Sequence, residues 1–223
     1  MYSIIENNNK FLSLNDPKSR EYTKLVAHFK MYVFLVDINN FENNFRKDDG
    51  KEVSYKGLYK YFWGMNAARN IASNIKFDEV YFDYLENSKS EPDFKILLKK
   101  IEPTMAGFQF SFSTKAIHCL NPELPIYDVN IRRFYFLKDI DENDWEKKLE
   151  VAEKYYEFLG KEYKRIIEKE LLKETMGKLN KFLENVGINS KAISDIKKID
   201  SIIWAWVNYL NNIALIEKKL VWN

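Results

Sequence analysis

Cysteine is nearly missing from this chain: Cys119 stands alone among 223 residues, which excludes an internal disulfide and a thiolate metal cage. Histidine is as scarce, with only His28 and His118, so no structural metal is expected from imidazole ligands. Just 7 glycines and 5 prolines are too few for the many turns of a sandwich or barrel and lean the chain towards helices. Long apolar runs are also lacking. The two most apolar stretches, 25–38 and 202–216, are broken by His28 and Lys30 and by Asn208, Asn211 and Asn212, so no membrane crossing is expected. The first ten residues, MYSIIENNNK, have neither the basic head nor the apolar middle of a secretory signal, and an intracellular, cytoplasmic location is expected. Charge of one sign is missing too: 35 Lys+Arg against 33 Asp+Glu leave only +2, so a nucleic-acid role needs a local basic patch.

What is present is core-forming material. A hydrophobic share of 46% with 16% aromatic residues excludes disorder and suffices for one domain over 1–223, or for two closely packed helical lobes. The expected fold is all-α and compact, with room for one short hairpin or strand pair. After Asp16-Pro17, apolar residues at Tyr22, Leu25, Val26, Phe29, Val33 and Val36 predict a first long helix over Ser19–Phe45. A polar, glycine-containing stretch at 46–52 ends it. Ser54 then opens a second predicted helix through Ile75, with Trp63 and Gly64 in its middle. Residues 78–85 read as a strand or short helix, and 93–101 as a helix. From Trp145 to Leu183, Lys and Glu interleave with apolar residues, with interruptions expected at Gly160 and Gly177. That charge pattern is read as a solvated face. A last helix is predicted to start at Asp200 and to lie centrally, with Trp204 and Trp206 both assigned to packing.

One stretch differs, GFQFSFSTKAIHCLNPELPIYDVNIRRFYFL over 107–137, and 104–138 is taken as the candidate catalytic segment. Phe108, Phe110 and Phe112 alternate with polar residues, which predicts an extended or looped backbone, with Ser113 or Thr114 capping a short helix over Lys115–Leu120. Pro122 and Pro125 force an extended crossing, after which Asp128 caps a helix over Val129–Leu137. Lys115 and Asp128 thus open successive predicted helices. A lysine amine is a nucleophile only when neutral, and both a helix N-terminus and desolvation favour that form, whereas a nearby carboxylate opposes it.

The pieces Ser113-Thr114-Lys115-Ala116 and Pro125-Ile126-Tyr127-Asp128-Val129-Asn130-Ile131 resemble the two catalytic pieces of the helix-hairpin-helix DNA glycosylases, in their 8-oxoguanine glycosylase branch. The likeness covers about 107–137. It implies a helix-hairpin-helix-like segment, Lys115 as the nucleophile and Asp128 as its acidic partner. It also implies base excision from double-stranded DNA holding a damaged or modified base, with or without AP-lyase activity, and no cofactor or metal. Cys119, one turn after Lys115, matches a cysteine of that branch and with Phe112 is assigned to the base pocket. Gly107, Ser111, Ser113, Arg132 and Arg133 are the implied DNA contacts. The chain departs from the family in having few glycines before the lysine, 13 residues from Lys115 to Asp128, and Asn130 where a histidine is common.

Two other functions fit the residues: a non-enzymatic helical module binding DNA or protein, with Lys115 exposed and far from Asp128, and a Mg²⁺-dependent nuclease built on Glu91, Asp93 and Lys95. His118 is read as exposed or hydrogen-bonded in the interior rather than catalytic.

Overall fold

The computed structural model describes residues 1–12, 14, 16–37, 44–46 and 52–221. Short α1 (Tyr2–Asn7) leads to α2 (Arg20–Val36), which the Ser19 hydroxyl caps by accepting from the Tyr22 N–H at 3.1 Å. The first helix is therefore shorter than its pattern predicts. Residues 44–46 already belong to β1 (Asn44–Arg46), which pairs antiparallel with β2 (Glu52–Ser54) in the register Phe45 to Val53; 38–43 and most of the expected polar break lie outside the described residues. Ser54 caps α3 (Tyr55–Phe62), and here the second expected helix stops: Gly64 takes φ 72°, a left-handed conformation that ends the helix at Trp63. The strand-or-helix stretch at 78–85 lies inside α4 (Ile75–Asn87), whose Asn74 cap accepts from the Phe77 N–H.

Asp93 caps α5 (Phe94–Ile101), followed by α6 (Phe110–Leu120) and α7 (Val129–Phe134). Helices α8 (Trp145–Glu168) and α9 (Lys173–Asn185) run straight through Gly160 and Gly177. A lone glycine costs a helix interior only about 1 kcal/mol. The interruption falls at 169–172, where Glu170 at φ 49° lets the Leu171 N–H bond back to the Ile166 carbonyl. The last helix, α10 (Asp195–Val221), begins five residues before the expected Asp200, because the Ser194 hydroxyl accepts from the Lys197 N–H while donating to the Pro122 carbonyl.

The protein is all-α apart from the two-stranded pair. Helix α10 packs against α7, α8, α9 and the 3₁₀ turn at Asn9–Leu12, while α6 contacts α5, α2 and α4. A continuous buried cluster runs from Ile5 to Val207. No helix among the described residues is long and apolar enough to cross a membrane.

Candidate active site

Helix α6 does not start where the phenylalanine alternation suggested. Phe110, Ser113, Thr114 and Ile117 follow the i, i+3, i+4, i+7 spacing of a buried helical face, and all four are buried. Two hydroxyl residues on that face hide it from a reading by hydropathy. The consequence for Lys115 is direct: it sits mid-helix, so the field of a helix N-terminus does not act on it. Ser113 and Thr114 are not caps. The Thr114 hydroxyl accepts from the Tyr127 N–H at 3.0 Å and lies 3.0 Å from the Ser111 carbonyl, tying α6 to the extended segment that enters α7. That bond holds Thr114 and Tyr127, the residues just before Lys115 and Asp128, side by side.

Asp128 caps α7 as expected. Its Oδ1 accepts from the Asn130 and Ile131 N–H groups at 2.8 and 2.9 Å, which leaves Oδ2 for the site. The helix is shorter than expected, ending at Phe134, with Phe136 at φ 55° and the Leu137 N–H bonded to the Arg132 carbonyl.

Lys115 is partly buried, and its Nζ lies 4.7 Å from the centroid of the Phe112 ring and 5.6 Å from that of Trp63. It forms no ion pair within 4 Å among the described residues. Burial lowers its pKa; Asp128 and then Asp200 pull the other way, and Lys197 adds to the lowering. The Asp128 pKa is raised, by burial first and then by Asp200, against the pull of Lys115 and the two backbone bonds. Lysine and aspartate are thus pushed towards their neutral forms.

Lys197 escaped the sequence reading, and Asp200 was read only as a helix start. Lys197 and Asp200, one turn apart on α10, form an ion pair of 2.7 Å with side chains only 3% and 6% exposed. The Lys197 ammonium also lies 5.3 Å from the Trp63 centroid and 5.4 Å from that of Tyr32. Lys115, Lys197, Asp200, Trp63, Phe62 and Trp204 share the wall of a cavity of about 760 Å³, a volume typical of small-molecule sites. Trp204 is 50% exposed at this cavity, unlike Trp206, which packs edge-on against Phe11. The assignment of both tryptophans to packing therefore holds for Trp206 alone. Asp200 Oδ1 and Ser201 Oγ lie buried behind the same wall without hydrogen-bond partners among the described residues.

The remaining expected site residues scatter. Phe112 stays beside the amine, whereas Cys119 is in the core, facing Trp63 and Tyr59, where burial pushes its thiol pKa up to about 12. It does not line the cavity. Ser113 is wholly buried and its hydroxyl has no hydrogen-bond partner among the described residues, so it offers nothing to a phosphate. Gly107, exposed at φ 77°, turns the chain into α6. Ser111 and Arg132 border a separate hollow of about 260 Å³ with Phe108 and Tyr127, and Arg132 pairs with Asp139. Arg133 is exposed, with no ion-pair partner among the described residues. The residues weighed for a nuclease are used otherwise: Asp93 caps α5 and Lys95 pairs with Glu153. Among the described residues no cluster of three His, Cys, Asp or Glu side chains is placed to hold a metal. No protein-family model, curated protein or solved structure matches the chain.

Proposed function

We propose that the protein is a DNA glycosylase, with Lys115 as nucleophile and Asp128 as its acidic partner. The observation that carries the reading is a partly buried lysine amine, shifted towards its neutral form, that opens onto an aromatic-walled cavity and is coupled to a carboxylate fixed at a helix start. A binding module has no use for such an amine, since a lysine that grips phosphate works best charged and solvated. The likeness of 113–116 and 125–131 to the glycosylase pieces adds to it.

A base turned out of the duplex enters the cavity, with Trp63, Phe62 and Trp204 as stacking surfaces. The lone pair of the Lys115 amine forms a bond to C1′ while the glycosidic bond breaks and its electron pair leaves with the base, which takes up a proton from water. Asp128 does its work as the carboxylate, the form that Lys115 and its two backbone bonds favour: it stabilises the positive charge that builds on the sugar and accepts the proton that the new C–N bond releases. Opening of the sugar ring, with O4′ taking up a proton from water, gives a Schiff base; loss of a C2′ proton to water then forms the C2′=C3′ double bond and expels the 3′ phosphate, which cleaves the strand. Arg133, exposed on α7, is assigned to a phosphate contact.

The test is a panel of duplexes, each with one modified base, incubated with the protein in borohydride. At least one is expected to give a covalent protein–DNA adduct that Lys115→Gln abolishes while circular dichroism shows the variant folded. No adduct and no released base across the panel would overturn the proposal.

A further inference from the structure

The amine of Lys115 does not face its surroundings alone. The charged and titratable groups around it are Asp128 before α7, Lys197 and Asp200 on α10, and Glu21, Lys24 and His28, which border the same cavity from α2. His28 is held neutral by burial, its pKa lowered to about 3. Of the rest, Lys197 and Asp200 are the most deeply buried. Their ion pair is short, and its ammonium shares the indole of Trp63 with the ammonium of Lys115, at 5.3 and 5.6 Å from the ring centroid. Asp200 has two possible cationic partners on this wall and is committed to one of them.

We propose that Lys197 is a positioning residue that keeps the Lys115 amine free for chemistry, by holding Asp200 in its own ion pair and by setting a second positive charge at the Trp63 ring. Two effects act in the same direction. A neighbouring cation disfavours protonation of Lys115, as in lysine nucleophiles activated by a second ammonium. The 2.7 Å bond to Lys197 also occupies Asp200 Oδ2, without which the buried carboxylate would draw on Lys115, the other cation it acts on, and hold it charged. The role deepens the glycosylase reading, but it is a statement about the amine and is tested without DNA.

The probe is glycolaldehyde with borohydride on the intact protein, and the readout is the pH profile of reductive modification at Lys115, located by peptide mass spectrometry. For Lys197→Met the profile is expected to move to higher pH by about one unit, a roughly tenfold loss of modification below the midpoint; Lys197→Arg, which keeps the charge, is expected to restore it. Because Lys197→Met leaves a buried carboxylate unpaired, Asp200→Asn and the double variant Lys197→Met with Asp200→Asn are compared as well. There the carboxylate is gone, and the profile of the double variant is expected at higher pH than that of Asp200→Asn. Unmoved profiles in both comparisons, or Lys197→Arg shifted as far as Lys197→Met, would overturn the role of Lys197. Failure of the glycosylase reading shows differently, as shifted aldehyde profiles in a protein that traps no modified duplex.

Discussion

His118 is wholly buried, with Nδ1 2.6 Å from the Leu124 carbonyl and Nε2 2.9 Å from the Tyr32 hydroxyl. A carbonyl only accepts, so Nδ1 carries the proton, and in the neutral ring Nε2 accepts from Tyr32. The residue is thus a clamp between α2, α6 and the extended crossing that leads to Asp128. Burial, with a smaller push from Lys197, lowers its pKa to about 3. The folded value lies below the unfolded one near 6.5, so the unfolded chain binds more protons, and stability present above about pH 6.5 falls as pH drops towards 3. The slope for one such group is at most about 1.4 kcal/mol per pH unit. His28 adds a second group of the same sign. Urea midpoints are therefore expected to fall between about pH 6.5 and 4.5, and His118→Gln, though less stable at pH 7, is expected to fall less steeply. At this scale Asp128 was legible, because a cap needs only local sequence. Lys197 and Trp204 were not: Lys197 matters through tertiary neighbours, Trp63 after α3 and Lys115 on α6, and the place of Trp204 on nearly the opposite face from Trp206 does not by itself mark a cavity wall.

Asp128 also does two things at the scale of the element, capping α7 and facing Lys115, and two substitutions separate them. Asp128→Asn keeps an amide oxygen for the Asn130 and Ile131 N–H groups but removes the charge; Asp128→Ala removes both. Thermal unfolding is expected to show a loss of about 1 kcal/mol for the alanine variant and only a few tenths for the asparagine variant. Base release is expected to fall by orders of magnitude in both. If it survived in Asp128→Asn, the carboxylate would be a cap and nothing more. The helices themselves were mostly readable from apolar spacing, and the errors have identifiable causes. Gly160 and Gly177 lie in long helices that tolerate them, while the break after Glu168 comes from a left-handed Glu170, which composition does not announce. The start of α6 was hidden because Ser113 and Thr114 occupy its buried face.

For the whole molecule, near neutrality is the controlling fact. A chain of net charge +2 has little general attraction for DNA, and part of its positive charge is spent internally, Lys197 on Asp200 in the site and Arg132 on Asp139 outside it. Few phosphate contacts are therefore expected, and the logarithm of the binding constant is expected to fall gently with the logarithm of salt concentration. Arg133→Gln is expected to make that slope shallower by about 0.9, the contribution of one phosphate contact; an unchanged slope would remove Arg133 from the DNA face. The all-α architecture was readable from the scarcity of glycine and proline, whereas the position of α10 beside α6 and α7 was not, since it brings together residues some 70 to 85 positions apart. That juxtaposition turns a lysine and an aspartate into a candidate site, in which the Lys115 amine is proposed to attack the sugar. The most direct measurement is to reduce the protein–DNA adduct with borohydride, digest it and locate the attached nucleotide by mass spectrometry. Attachment at Lys115 is predicted; attachment at another amine, or a trapped adduct that persists in Lys115→Gln, would show that Lys115 is not the nucleophile.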